Sequence, residues 1–113
     1  MNTAIFISCL VIPVVLLIVG IVGKVKPAKT INPTVGYRSK RSRASQEAWD
    51  KAQVLMAKYM LLIGCVLLVI SLVVAFIISR MEQSAMIVGV SVLSIVQVAG
   101  AVLVIPLVES KLK

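Results

Sequence analysis

Three long runs of apolar residues are separated by one long and one short polar segment along this chain. The runs cover residues 3–23, 59–79 and 85–108, and none of them contains a charged residue. Each is at least as long as the ~20 residues that an α-helix needs to cross about 30 Å of hydrocarbon. They lack the alternation of apolar and polar positions that is typical of barrel strands. The pattern therefore predicts an all-α membrane protein with three transmembrane helices, forming one domain over residues 1–113.

The second helix is predicted to begin well before its apolar run. Ser45 suits an N-cap, and Glu47 would place a negative charge in the first turn, where the helix dipole favours it. A helix from 45 to 79 would be roughly 50 Å long and would extend past the bilayer core into the cytoplasm. Trp49 and Tyr59 suit the headgroup zone. The predicted helices are about 3–23, 45–79 and 85–108, with a cytoplasmic loop at 24–44.

Basic residues are distributed unevenly between the two sides of such a bundle. The twelve Lys and Arg residues give a net charge of +8, and only Arg80 belongs to the connection between the second and third helices. The other basic residues lie in the loop, at the start of the second helix or at the C-terminal end. The positive-inside rule then predicts an outside N-terminus and a cytoplasmic C-terminus. The charge is explained by topology and by anionic membrane lipid as a partner, without nucleic acid.

The composition disfavours most catalytic and metal chemistry. The chain contains no His, and Cys9 and Cys65 are isolated within apolar runs. A proton-coupled exporter normally needs an ionisable group within the membrane, and these runs have none. We therefore expect a protein that is not an enzyme and that has no metal or cofactor. Gln97 is the single amide in the runs, and we expect it to make an interhelical hydrogen bond or, alternatively, to contact a ligand.

Residues 32–53 carry most of the side chains that could recognise a partner. Gly36 permits a positive φ, so the segment around it is expected to form a compact turn. Arg38 in this turn could bind a carboxylate or a phosphate with two parallel hydrogen bonds, and Glu47 is one candidate partner. The neighbouring Lys40, Arg41 and Arg43 are interpreted as topology signals.

The same segment resembles the signature of the SdpI/YfhL family of bacterial membrane proteins. The resemblance rests on Asn32, Gly36-Tyr37-Arg38-Ser39, Ser42, Ser45, Glu47, Trp49 and Ala52-Gln53. Ser39 stands where Thr is commoner in the family, and Gln53 stands where Asn or His is commoner. The helix pattern around these residues also fits, and the chain is similar to the short, single-unit members.

The resemblance implies a function in the bacterial plasma membrane. The family's namesake gives immunity to a secreted peptide toxin, and it is thought to hold a cytoplasmic repressor at the membrane when toxin is present. By this resemblance, the partners would be a hydrophobic toxin peptide and a cytoplasmic regulator. A homo-oligomer is also expected, because three helices bury little surface.

Two other functions stay open from the sequence. The chain could be a small-molecule or lipid-headgroup binding protein, or a transport subunit, that holds an anion at Arg38. A cavity lined by Arg38, Tyr37 and Gln97 would favour that function. Alternatively, it could be a structural or regulatory partner of a larger membrane protein, without a ligand of its own.

Overall fold

The computed structural model describes residues 3–32 and 36–112. It contains three α-helices, α1 (Thr3–Val25), α2 (Gln46–Ile78) and α3 (Gln83–Lys111). Each of them is long and apolar enough to cross a membrane. The prediction of an all-α protein with three transmembrane helices is confirmed. Residues 33–35 of the predicted loop and Lys113 at the basic C-terminal end lie outside the described residues.

The ends of the helices differ from the predicted ones by one to three residues. α1 continues to Val25, past the predicted end at Gly23. It ends there because Pro27 disfavours the helical conformation in the residue before it, Lys26. α3 begins at Gln83 instead of 85 and continues to Lys111 instead of 108. Pro106 lies within α3 and does not end it, as is tolerated in membrane helices. α2 has 33 residues and begins beside Ser45, whose hydroxyl accepts a hydrogen bond from the amide of Ala48.

The helices pack through small residues, with α2 in contact with both of the others. A Cβ atom built on Gly20 of α1 would lie 2.8 Å from the Cγ atom of Leu61, so α1 and α2 approach closely there. On the other side of α2, a Cβ atom at Gly89 of α3 would lie 2.7 Å from the Cγ2 atom of Ile78. Gly89 belongs to an Ala85-x-x-x-Gly89 sequence, a spacing of small residues that lets helices approach closely.

Gln97 joins all three helices in the interior of the bundle. Its amide nitrogen donates to the carbonyl oxygen of Cys9 in α1 at 2.6 Å and to the hydroxyl of Ser71 in α2 at 2.7 Å. Its side chain is almost fully buried. The expected interhelical hydrogen bond is therefore confirmed, and it satisfies an amide that would be costly to bury unpaired.

One end of the bundle, here called the basic end, carries the loop 26–45, the first turns of α2 and the last turns of α3. The opposite end carries the tight turn after Ile78, in which the amides of Arg80 and Met81 donate back to the carbonyl groups of Ile77 and Ile78. The extension of α2 lies at the basic end, where the loop packs on it.

The side of the membrane on which the basic end lies can be tested by cysteine labelling. In a background without Cys9 and Cys65, we expect Lys40→Cys to resist an impermeant maleimide in intact cells and to react after permeabilisation. Arg80→Cys, at the opposite end, is the matched control and should react in intact cells. Labelling of Lys40→Cys in intact cells would contradict the orientation that the charge asymmetry predicts.

Candidate functional site

The loop is attached to α2 by a two-point contact between a side chain and the backbone. The amide oxygen of Gln53 accepts a hydrogen bond from the backbone N–H of Tyr37 at 2.8 Å, and its nitrogen donates to the carbonyl oxygen of Tyr37 at 2.8 Å. The Gln53 side chain is only 2% exposed. One amide thus satisfies both polar groups of a loop residue, much as a neighbouring strand would.

Gly36 makes this contact sterically possible. Its φ is +90°, a conformation that side chains of L-residues rarely adopt, which confirms the expected positive φ. A Cβ atom at this position would lie 2.5 Å from the amide oxygen of Gln53 and 3.1 Å from the Cβ atom of Ala28. Both the backbone conformation and the space around it therefore require glycine.

Two serines close the turn that follows Arg38. The hydroxyl of Ser42 donates to the carbonyl oxygen of Ser39 at 2.8 Å, and the backbone N–H of Ser42 donates to the hydroxyl of Ser39 at 3.1 Å. Ser42 is completely buried. Hydrogen bonds of this local kind replace those of a helix or sheet, so the turn is an ordered element rather than an open linker.

Trp49 lies beneath the loop and not among the lipid headgroups. Its side chain is 0% exposed, and its indole N–H donates to the carbonyl oxygen of Ala28 at 2.6 Å. The headgroup interpretation of Trp49 is therefore wrong. The residue stands on the buried face of α2 that also carries Ala52, Gln53 and Met56, and this face packs against the loop and against Val104 and Val108 of α3. Loop and indole together exclude water from that surface.

The loop is also tied to α3, through a contact that the sequence analysis missed. The hydroxyl of Tyr37 donates to a carboxylate oxygen of Glu109 at 2.6 Å and lies 3.3 Å from the carbonyl oxygen of Ile105. Burial, this hydrogen bond and the negative charge of Glu109 raise the pKa of Tyr37 to about 12. The phenol thus remains a donor throughout the physiological pH range.

Glu109 carried a signal that could have revealed this role. The helix dipole disfavours a negative charge in the last turns of a helix. An acidic residue there is therefore expected to have a nearby hydrogen-bond donor or positive charge. Arg41 also reaches this end of α3, where its guanidinium donates to the backbone carbonyl of Glu109 at 3.4 Å. Arg41 therefore contacts the bundle in addition to any role as a topology signal.

The remaining residues of the predicted site lie toward its outer surface. The side-chain nitrogen of Asn32 donates to the carbonyl oxygen of Thr30 at 2.8 Å. Arg38 and Glu47 are both exposed, and the contacts among residues 3–32 and 36–112 do not include a bond between these two side chains. The structure therefore does not bring Glu47 to Arg38 as the internal partner considered from the sequence.

Gln97 is separate from the loop. It precedes Ile105, the α3 residue whose carbonyl oxygen faces the hydroxyl of Tyr37, by about two helical turns, or roughly 12 Å along the axis. Both hydrogen bonds from its nitrogen are made inside the bundle. Gln97 and Tyr37 thus belong to different parts of the molecule, and one small ligand at Arg38 would not reach both.

Taken together, the motif residues bind one another and join the ends of the helices. Ser42 and Gly36 shape the turn, Gln53 and Trp49 hold the loop on α2, and Tyr37 holds it on α3. These contacts coincide with the region that comparison with known proteins identifies. The sequence model of the SdpI/YfhL protein family matches residues 29–110. The chain belongs to this family.

A curated relative gives the same assignment. The protein named "Uncharacterized protein YfhL" from Bacillus subtilis (strain 168) is 40% identical over 52 residues, which make up 46% of this chain and 47% of that protein. The match thus spans about half of the length of this curated relative. The search of solved structures found no significant match. Family membership and the three apolar helices together identify a membrane protein of the SdpI type.

Proposed function

We propose that this protein protects a bacterial cell against a membrane-active peptide toxin, acting from the plasma membrane. Membership of the SdpI/YfhL family over residues 29–110 carries this proposal. The family's namesake is an immunity protein, and the signature residues that connect this chain to it lie in the ordered loop and in the first turns of α2 at the basic end. The toxin would be a hydrophobic peptide. The protein would either bind it within or beside the bundle, or alter the local lipid so that the toxin acts less on it.

The outward faces of the helices suit such a partner. Val15, Ile18 and Val22 of α1 are each at least half exposed, and they form a continuous apolar surface at helical spacing. In a membrane this surface contacts lipid, and it can equally contact an apolar peptide in the same layer.

The loop offers a route by which toxin binding reaches the basic end. Tyr37 is bonded both to Gln53 of α2 and to Glu109 of α3, so a change in the packing of these helices alters the contacts of the loop. In this proposal the loop braces the helices and presents their state to a cytoplasmic regulator. A signalling role would thus use the same residues as the brace.

The proposal predicts survival of cells that are otherwise sensitive. The chain is expressed in a strain whose own SdpI-type immunity gene has been deleted, and the cells are exposed to the peptide toxin that their siblings secrete. We expect survival to rise at least tenfold over cells that carry the empty vector. Survival equal to the vector control, with the protein present in the membrane, would contradict the proposal.

Two arginine variants provide a matched control in the same assay. Arg38 belongs to the family signature, whereas Arg43 lies outside it, and the Nε atom of Arg43 donates a long hydrogen bond to the carbonyl oxygen of Ser39, at 3.4 Å. Arg38→Ala and Arg43→Ala each remove one positive charge and therefore affect topology equally. We expect protection to be lost in Arg38→Ala and kept in Arg43→Ala. Equal loss in both would mean that only the charge of the loop matters.

A further inference from the structure

A groove lies at the basic end, between the end of α1 and α2. It has a volume of about 280 Å³, and its walls come from the end of α1, from Pro27 and from α2. The groove exists because α1 ends at Val25 and Pro27 leads the chain away, while α2 continues past this level. The two helices touch at the bottom of the groove, where Gly23 packs against Ala57. A Cβ atom built on Gly23 would lie 3.3 Å from the Cβ atom of Ala57.

Two lysines line this groove from different helices. Lys24 comes from the last turn of α1, and Lys58 comes from α2. Lys24 directly follows the first apolar run of the sequence, and Lys58 directly precedes the second. Both residues are therefore expected where a helix leaves the hydrocarbon, which is also the depth of lipid phosphates.

The rest of the lining is apolar and continues toward the membrane. Val54 is 65% exposed and stands one helical turn before Lys58, while Leu61 stands almost one turn after it on the same face of α2. Leu62, also exposed, extends this surface along the helix. A ligand with a negative head and a hydrocarbon tail fits both parts, because the head meets the lysines and the tail lies along the helix.

We propose that this groove is a binding site for one anionic phospholipid. The phosphate lies between Lys24 and Lys58, the glycerol region lies against Pro27, and an acyl chain follows α2 past Leu61. The volume is close to the lower limit for small-molecule sites, so the groove holds the headgroup region while the chains remain in the bilayer. The site differs from the Arg38 turn, and it does not depend on protection against toxin.

Charge complementarity favours an anionic lipid over a zwitterionic one. Phosphatidylglycerol and phosphatidylcholine present the same phosphate to the two lysines, but choline adds a positive charge that the lysines repel, whereas glycerol adds none. The apolar walls favour a lipid over free phosphate, which would gain nothing from Val54 and Leu61.

The test uses the purified full-length chain in detergent micelles, titrated with palmitoyl-oleoyl phosphatidylglycerol and followed by native mass spectrometry. We expect tighter binding of this lipid than of phosphatidylcholine with the same chains. In the double variant Lys24→Gln/Lys58→Gln, the dissociation constant should rise about thirtyfold, which corresponds to about 1 kcal/mol for each lysine. The matched control is Lys29→Gln/Lys40→Gln, which removes two exposed loop charges outside the groove and should change the constant less than twofold.

Further arms separate the groove from diffuse electrostatics and from free anions. Val54→Trp keeps both lysines but fills the groove from an exposed position, so we expect weaker phosphatidylglycerol binding with unchanged elution from a sizing column. Inorganic phosphate at millimolar concentration should not displace the lipid. Equal weakening in the two double variants, full binding by Val54→Trp, or displacement by inorganic phosphate would each overturn the proposal.

Discussion

Replacing Gly36 with valine is expected to detach the loop from α2. The native φ of +90° is costly for any residue with a Cβ atom, at about 1–2 kcal/mol, and a β-branched residue fits it least well. In addition, the new Cβ atom would lie 2.5 Å from the amide oxygen of Gln53, which holds both backbone groups of Tyr37. The substitution therefore opposes the two-point contact through backbone strain and through a collision.

The single tryptophan of the chain reports this change directly. Trp49 is buried under the loop, so detachment should shift its fluorescence to longer wavelength and increase its quenching by acrylamide. Far-ultraviolet circular dichroism should change little, because the three helices pack on one another without residue 36. Gly100→Ala is the matched control, since its Cβ atom would come closest to the movable end of Leu67, at 3.1 Å, and would lie 3.5 Å from the Cγ2 atom of Ile63. Unchanged emission in Gly36→Val would mean that the turn does not require glycine.

Much of the helical architecture could be predicted from the sequence, because a bilayer permits few alternatives. An uncharged run of membrane length must satisfy its backbone within a helix, so 3–23, 59–79 and 85–108 determine three helices. The N-cap at Ser45 was also visible, since its signal is local. The ends near Pro27 and Pro106 do not follow from the local sequence, because whether a proline ends a membrane helix depends on what surrounds the freed backbone group.

The contacts between the loop and the helices were harder to predict. The turn at Gly36 could be predicted, because glycine is the residue type that adopts a positive φ without strain. The bond between Tyr37 and Glu109 joins positions 72 residues apart, and no periodicity within one segment encodes it. Trp49 was misplaced for a related reason: an aromatic residue near a membrane boundary suits both the headgroup zone and a buried face, and only the position of the loop separates the two.

The buried position of Trp49 leads to the second large effect. The indole is 0% exposed and donates to the carbonyl oxygen of Ala28, so Trp49→Ala removes both a large packing surface and a hydrogen bond. Truncation of a buried tryptophan typically costs about 3–5 kcal/mol. Because the indole packs between loop and helix, we expect this cost to fall on the docking of the loop. Tryptic cleavage among Arg38, Lys40, Arg41 and Arg43 should accelerate by about a hundredfold or more, since cleavage follows the population of the open loop.

Two variants show whether packing or the hydrogen bond carries this effect. Trp49→Phe keeps an aromatic ring and loses the donor to Ala28, at a cost of about 1–3 kcal/mol, so its cleavage should be faster than in the wild type and slower than in Trp49→Ala. Phe76→Ala truncates an aromatic residue on the same helix that is 62% exposed, and it should leave cleavage of the loop unchanged. If Trp49→Ala were cleaved no faster than Phe76→Ala, the indole would not hold the loop. If Trp49→Phe were instead cleaved as fast as Trp49→Ala, the effect would belong to the hydrogen bond, because an aromatic ring alone would not hold the loop.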